Sequence, residues 1–107
     1  MKINVLGTDY AVIERDRCKD RQLDDNDGYC DDSVKEIVTV HLEPGPDSKK
    51  DLNAVRQKIL RHEIVHAFLC ESGLSCNSYW AENEELVDWI AIQGPKLIQA
   101  WQEAGAL

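Results

Sequence analysis

The sequence predicts an α+β fold: a small antiparallel sheet in the N-terminal half, then two or three helices. Three observations predict it. Residues 2–6 and 10–14 are short β-prone runs on either side of Gly7-Thr8-Asp9, the pattern of a hairpin. Residues 36–42, EIVTVHL, alternate as a further strand that Pro44-Gly45-Pro46 stops. From Leu52 onward the apolar residues recur at three and four, the period of a helix.

Taken in order, the hairpin is followed by RDRCKDRQLDDNDG, which reads as a solvated acidic loop with Asp27-Gly28 as a turn signal. A calcium loop of the EF-hand kind is excluded there. It needs Asp at position 23 and Glu at position 34, and the chain carries Leu23 and Val34. In strand 36–42, Ile37, Val38, Val40 and Leu42 compete for the buried face, and the strand is read as the edge of the sheet. Ser48, with Asp51 three residues on, reads as a helix start. Leu52, Val55, Ile59, His62, His66 and Leu69 then share one helical face, and Gly73 is a natural C-terminal cap. The link LSCNSYWAEN leads to a second helical pattern around EELVDWIAIQ. Gly94-Pro95 breaks that pattern, and Pro95 opens a third helix through Ile98 and Trp101. Trp80, Trp89 and Trp101 read as core anchors. Residues 1–107 form a single domain.

A net charge of −8, with lysines and arginines scattered singly or in pairs, argues against nucleic acid or an anionic membrane as partner. No stretch approaches the roughly 18 apolar residues of a membrane span, and the N-terminus lacks a signal-peptide pattern. A cytoplasmic protein is expected. Cys18, Cys30, Cys70 and Cys76 form no CxxC pair, so free thiols are expected in place of a disulfide framework or a four-cysteine zinc site. Cys70 reads as a packing residue.

The chemistry is concentrated in His62-Glu63-Ile64-Val65-His66. Residues four apart lie on one helical face about 6 Å apart, close enough for two imidazoles to hold one ion. Glu63 points away from that line, where a carboxylate can reach a water beside the ion and act as general base. The plainer alternative places both histidines in the core as hydrogen-bonded polar residues. A third ligand separates the two. Leu69 and Ser72 stand where a metzincin needs glycine and histidine, so that class is excluded. An acidic residue downstream remains, and Glu82, Glu84 and Glu85 are available.

Here the chain resembles the gluzincin metallopeptidases, in which two histidines of HExxH and a glutamate on the next helix bind zinc. HEIVH is followed after 17 residues by Glu84 within NEELVD. Asn83-Glu84 is similar to the Asn-Glu of thermolysin-like and M1-aminopeptidase-like enzymes. Glu84-x-x-Val87-x-x-Ile90-Ala91 resembles the corresponding stretch of bacterial and phage ImmA/IrrE-type metallopeptidases. The resemblance implies a zincin-like fold, zinc on His62, His66 and Glu84, and Asp88 orienting His62. The aminopeptidase gap of 18 residues would instead select Glu85, whereas the flanking residues select Glu84. The implied activity is hydrolysis of a peptide bond in a peptide or protein substrate by metal-activated water, with Glu63 as general base. Strand 36–42 would pair with extended substrate, and Tyr79 or His41 would stabilise the oxyanion. The alternative function is a non-catalytic zinc-binding module that uses the same three ligands for stability or partner binding.

Overall fold

The computed structural model describes residues 1–107. β1 (Lys2–Val5) and β2 (Thr8–Arg15) pair antiparallel with Val5 opposite Thr8. Leu6 and Gly7 make the turn with φ of 53° and 91°, the left-handed conformations a two-residue hairpin requires. The turn therefore falls earlier than Gly7-Thr8-Asp9, and Thr8 and Asp9 belong to β2. β3 (Gly28–Asp31) and β4 (Glu36–Val40) complete the sheet in the order β1-β2-β4-β3.

This arrangement corrects two expectations. β4 runs parallel to β2 and antiparallel to β3, so the sheet is mixed and not antiparallel throughout. β4 is also a central strand with both edges occupied, so residues 36–42 cannot receive an added strand. The true edge on that side is β3, drawn from the end of the acidic stretch. That stretch is no free loop. It forms short 3-10 turns at Arg17–Lys19 and Arg21–Leu23, and Leu23 is fully buried against Val38 and Val40. The other sheet face packs Val5, Tyr10 and Ile37 against Ala67. Residues Ile37 to Val40 are all buried because both faces are covered. Each large aliphatic side chain buried there contributes about 1.5–3 kcal/mol.

α1 (Leu52–Glu71) starts at Asp51, whose side chain accepts from the Ala54 N–H at 3.0 Å. Ser48 instead bonds Gly45 in the preceding turn. Gly73, at φ 82°, follows the end of the helix as expected. Of the predicted stripe, Ile59 and Leu69 are buried, joined by Glu63 and Ala67 where His62 and His66 were expected. Ile59, Glu63 and Ala67 face the sheet, while Leu69 packs with Ala81 and Val87. His62 and His66 are half-buried on the flank between sheet and helices. α2 (Leu74–Asn77) and a 3-10 turn at Tyr79–Glu82 lead to α3 (Glu84–Glu103). Trp80, Trp89 and Trp101 are each about half exposed, not core anchors.

Pro95 lies inside α3 and does not start a new helix. Proline has no N–H for the carbonyl four residues back, which is that of Ala91. Arg61 supplies the missing donor: its Nε bonds the Ala91 oxygen at 2.6 Å. A residue on α1 thus repairs the break and ties the two helices together. Arg61→Leu is expected to cost about 1–3 kcal/mol by leaving that carbonyl unpaired. The same change in a Pro95→Ala background should cost clearly less, because alanine at that position restores the intrahelical donor. Urea denaturation of the four proteins measures the difference, and equal costs in both backgrounds contradict the account.

The C-terminal end of α1 is anchored by Glu71. Its carboxylate accepts from Thr8 Oγ1 at 2.6 Å, from the Tyr10 hydroxyl at 2.7 Å and from Lys35 Nζ at 2.9 Å. The Thr8 and Tyr10 hydroxyls and the Lys35 ammonium hold the carboxyl down at about 2, from an ordinary 4.5. A depressed folded value means that the unfolded chain takes up the proton first as pH falls. The contribution is therefore complete above about 4.5 and is lost between there and about 2. Wild type should exceed Glu71→Gln in stability at neutral pH, and denaturation curves should converge as pH falls through that window. No helix is long and apolar enough to cross a membrane.

Candidate metal centre

Two features of the sequence build the centre. The first is the four-residue spacing within α1, which points His62 and His66 the same way. Their ring centroids lie 4.9 Å apart. The second is the capping of α3. The Asn83 side chain accepts from the Leu86 N–H at 2.9 Å, which starts the helix at Glu84. Glu84 thus occupies the first turn, where a carboxylate is also favoured by the helix dipole. α1 and α3 pack together, and this brings the Glu84 carboxylate onto both imidazoles.

Glu84 Oε2 lies 2.9 Å from His62 Nε2, and Oε1 lies 2.9 Å from His66 Nε2. The two Nε2 atoms are 3.2 Å apart. On the far side of the first ring, His62 Nδ1 lies 3.3 Å from Asp88 Oδ1. A carboxylate there can accept a proton held on Nδ1, the tautomer that would leave the Nε2 lone pair free to ligate an ion. Lys58 Nζ approaches the same Asp88 oxygen at 3.7 Å. Burial lowers the pKa of His66, which favours its neutral, ligating form.

His62, His66 and Glu84 form a group that could hold a metal ion. The donor set tests well against that role. Zinc with bonds of about 2.0–2.1 Å places tetrahedral ligands about 3.3 Å apart. The two Nε2 atoms are 3.2 Å apart, each has one of the two Glu84 oxygens at 2.9 Å, and one ligand atom from each residue lies within 4.8 Å of the others. Two imidazoles and one carboxylate make three protein ligands, the number that leaves a coordination position open. Glu85, one position on, does not line the cavity around the group.

That cavity has a volume of about 600 Å³ and is lined by β3, α1 and the start of α3. Glu63 opens into it. The residue is only 7% exposed, and its carboxylate makes no hydrogen bond to the protein. Burial, aided by Glu84 and opposed by His62, raises its pKa from 4.5 to about 7. Gly28 lies over it: a Cβ at that position would stand 3.0 Å from the Val38 carbonyl oxygen, 3.1 Å from Glu63 Cγ and 3.1 Å from Ile59 Cγ2. The sequence signal at Gly28 points to a turn, but its role is close approach of β3 to α1. Cys30 and Cys70 also line the cavity as free thiols.

The two residues expected to stabilise an oxyanion lie elsewhere. Tyr79 is 96% exposed and outside the cavity. His41 sits past the far end of β4, with its ring nitrogens 3.1 Å from Glu14 and 2.6 Å from Glu43. Lys58 is the lysine or arginine that does line the cavity. Its position four residues before His62 was a signal available in the sequence. No family model, curated protein or solved structure matches the chain.

Proposed function

We propose that the chain is a zinc-dependent peptidase with a minimal zincin-like core, acting on extended peptide segments in a reducing cytoplasm. The observation that carries this reading is the coincidence, in one open cavity, of a three-residue group that could hold an ion with a glutamate, Glu63, that lines the same cavity. Four free cysteines suit the compartment.

Each residue has a role that follows from its place. His62, His66 and Glu84 would hold the ion, which supplies Lewis acidity toward a water and a peptide carbonyl. Asp88 keeps the His62 proton on Nδ1, so that Nε2 stays free to ligate. Glu63, which lines the cavity beside the three ligands, would take a proton from the attacking water and return it to the leaving amine.

The free edge of β3 offers a place for the substrate backbone. The Val40 N–H donates to the Asp27 carbonyl, which fixes the alternation of the β3–β4 ladder. Asp27, Tyr29 and Asp31 face β4, so the N–H and C=O groups of Gly28 and Cys30 face outward. An extended peptide adds to such an edge through main-chain hydrogen bonds. β3 takes the role that strand 36–42 cannot.

Glu63→Gln tests the reading. Both proteins, loaded with zinc, are incubated with a pool of unstructured peptides, and new termini are counted by mass spectrometry. Wild type is expected to generate new termini, and the variant to do so at least about a hundredfold more slowly while binding zinc equally well. Zinc binding without cleavage by either protein contradicts the peptidase and leaves a zinc-binding module.

A further inference from the structure

Two side chains of the cavity have no part in the chemistry above. Cys30 and Cys70 are free, partly buried thiols that line it from facing elements, Cys30 on β3 and Cys70 on α1. Their placement follows from how closely those elements pack. A Cβ at Gly28 would stand 3.1 Å from Glu63 Cγ, so the Cα atoms of the two residues lie no more than about 7 Å apart, the reach of a disulfide. Two residues on, Cys30 points to the same side of β3 as that Cβ would. It packs against the buried cluster that includes Ala67 of α1. Cys70 follows Ala67 by three residues and Ile59 by eleven, close to three full turns, so it shares the stripe that faces the sheet.

The two sulfurs are close enough to affect each other. Burial first, and then the charge of Cys70, pushes the Cys30 thiol up to about 12. Cys18 and Cys76, by contrast, are exposed and lie outside the cavity.

We infer that Cys30 and Cys70 are a site of reversible oxidation, joined as a disulfide by a small hydroperoxide that enters the cavity, and that the bond pins β3 to α1. The Cys70 sulfur attacks the peroxide and the O–O bond breaks. One oxygen stays on sulfur as a sulfenic acid, and the other leaves as water with the Cys70 proton. The Cys30 sulfur then attacks the Cys70 sulfur, the S–O bond breaks, and hydroxide leaves as water with the Cys30 proton. The pair gives up two electrons and the peroxide takes them. The order follows from the surroundings, since Cys30 is held protonated by burial and by a charge on Cys70 that the first step removes. A transient, redox-sensing disulfide is the kind that a reducing compartment allows. The inference stands apart from the peptidase reading, because neither thiol is a ligand or the general base.

The test uses the chain carrying Cys18→Ser and Cys76→Ser, so that two thiols remain. It is treated with hydrogen peroxide, unfolded, alkylated and weighed by mass spectrometry. The expected product is a single chain lighter by two hydrogen atoms, closed to alkylation and returned to two free thiols by dithiothreitol. Its Tm should exceed that of the reduced protein by at least about 5 °C, because a bond that fits the fold constrains only the unfolded chain. Two alkylatable thiols after treatment overturn the inference. So does oxygen added to the sulfurs without a cross-link, or a disulfide between two chains. A Tm below that of the reduced protein also overturns it, since the thiols would then have been drawn together against the fold.

Discussion

Alanine at Gly28 is expected to destabilise the protein by about 2–3 kcal/mol, the cost of forcing a methyl group into a filled interior. The added Cβ would meet three neighbours on three sides. One is the Val38 carbonyl oxygen at 3.0 Å, fixed in the centre of the sheet. The others are Ile59 and Glu63 on the buried stripe of α1, each at 3.1 Å. Backbone cannot yield without opening the β3–β4 ladder, so the strain falls on the separation of β3 from α1. That separation forms the inner wall of the cavity, and Glu63 is the side chain most directly displaced. Urea denaturation measures the loss, with Gly45→Ala as control. A Cβ at Gly45 meets nothing within 4 Å, so its substitution should change stability by less than about 0.5 kcal/mol. Equal behaviour of the two variants would remove the close approach of β3 to α1 from the account.

The second large effect concerns the third ligand. Glu84→Ala is expected to weaken zinc binding by more than about a hundredfold, beyond the usual cost of losing an outer partner of the site. Glu85→Ala should leave zinc affinity within about threefold of wild type, since only screened surface charge changes. The reason is geometric. Glu84 places one carboxylate oxygen 2.9 Å from each imidazole nitrogen, and the next position on a helix is turned by about 100°. Both residues carry the same charge at the same helix end, so a purely electrostatic attraction for zinc would make the two substitutions alike. Competition with a chromophoric chelator measures both, and the reverse ranking would assign the ligand to Glu85.

The parts of this structure that were legible in the sequence are those fixed by short-range spacing. HEIVH places two imidazoles on one helical face whatever the tertiary fold, and Asn83 starts a helix at Glu84 by local capping. The parts that were not legible depend on partners distant in the chain. Nothing near Pro95 reveals that Arg61, 34 residues earlier, supplies the donor it lacks, so a break was the natural expectation. β3 is a four-residue segment, Gly-Tyr-Cys-Asp, too short to show an alternation of its own. It becomes a strand because β4 offers it a ladder and α1 leaves room for Gly28. The position of β4 follows from the same cause. Its apolar run suits either an edge covered on one face or a central strand covered on both, and only the insertion between β2 and β3 decides between them. The apolar stripe runs through the histidines and so predicts them on the buried face, yet the sheet lies against Ile59, Glu63 and Ala67. That rotation leaves the imidazoles facing the cavity and carries Glu63 inward.

The claim that His62, His66 and Glu84 form a zinc site is tested most directly by titrating metal-free protein with zinc and measuring stoichiometry and affinity. One ion per chain is expected, with Kd of about micromolar or below. His62→Ala and Glu84→Ala should each weaken that binding by more than about a hundredfold. Absence of binding by the wild type, or an affinity that neither substitution changes, would contradict the account.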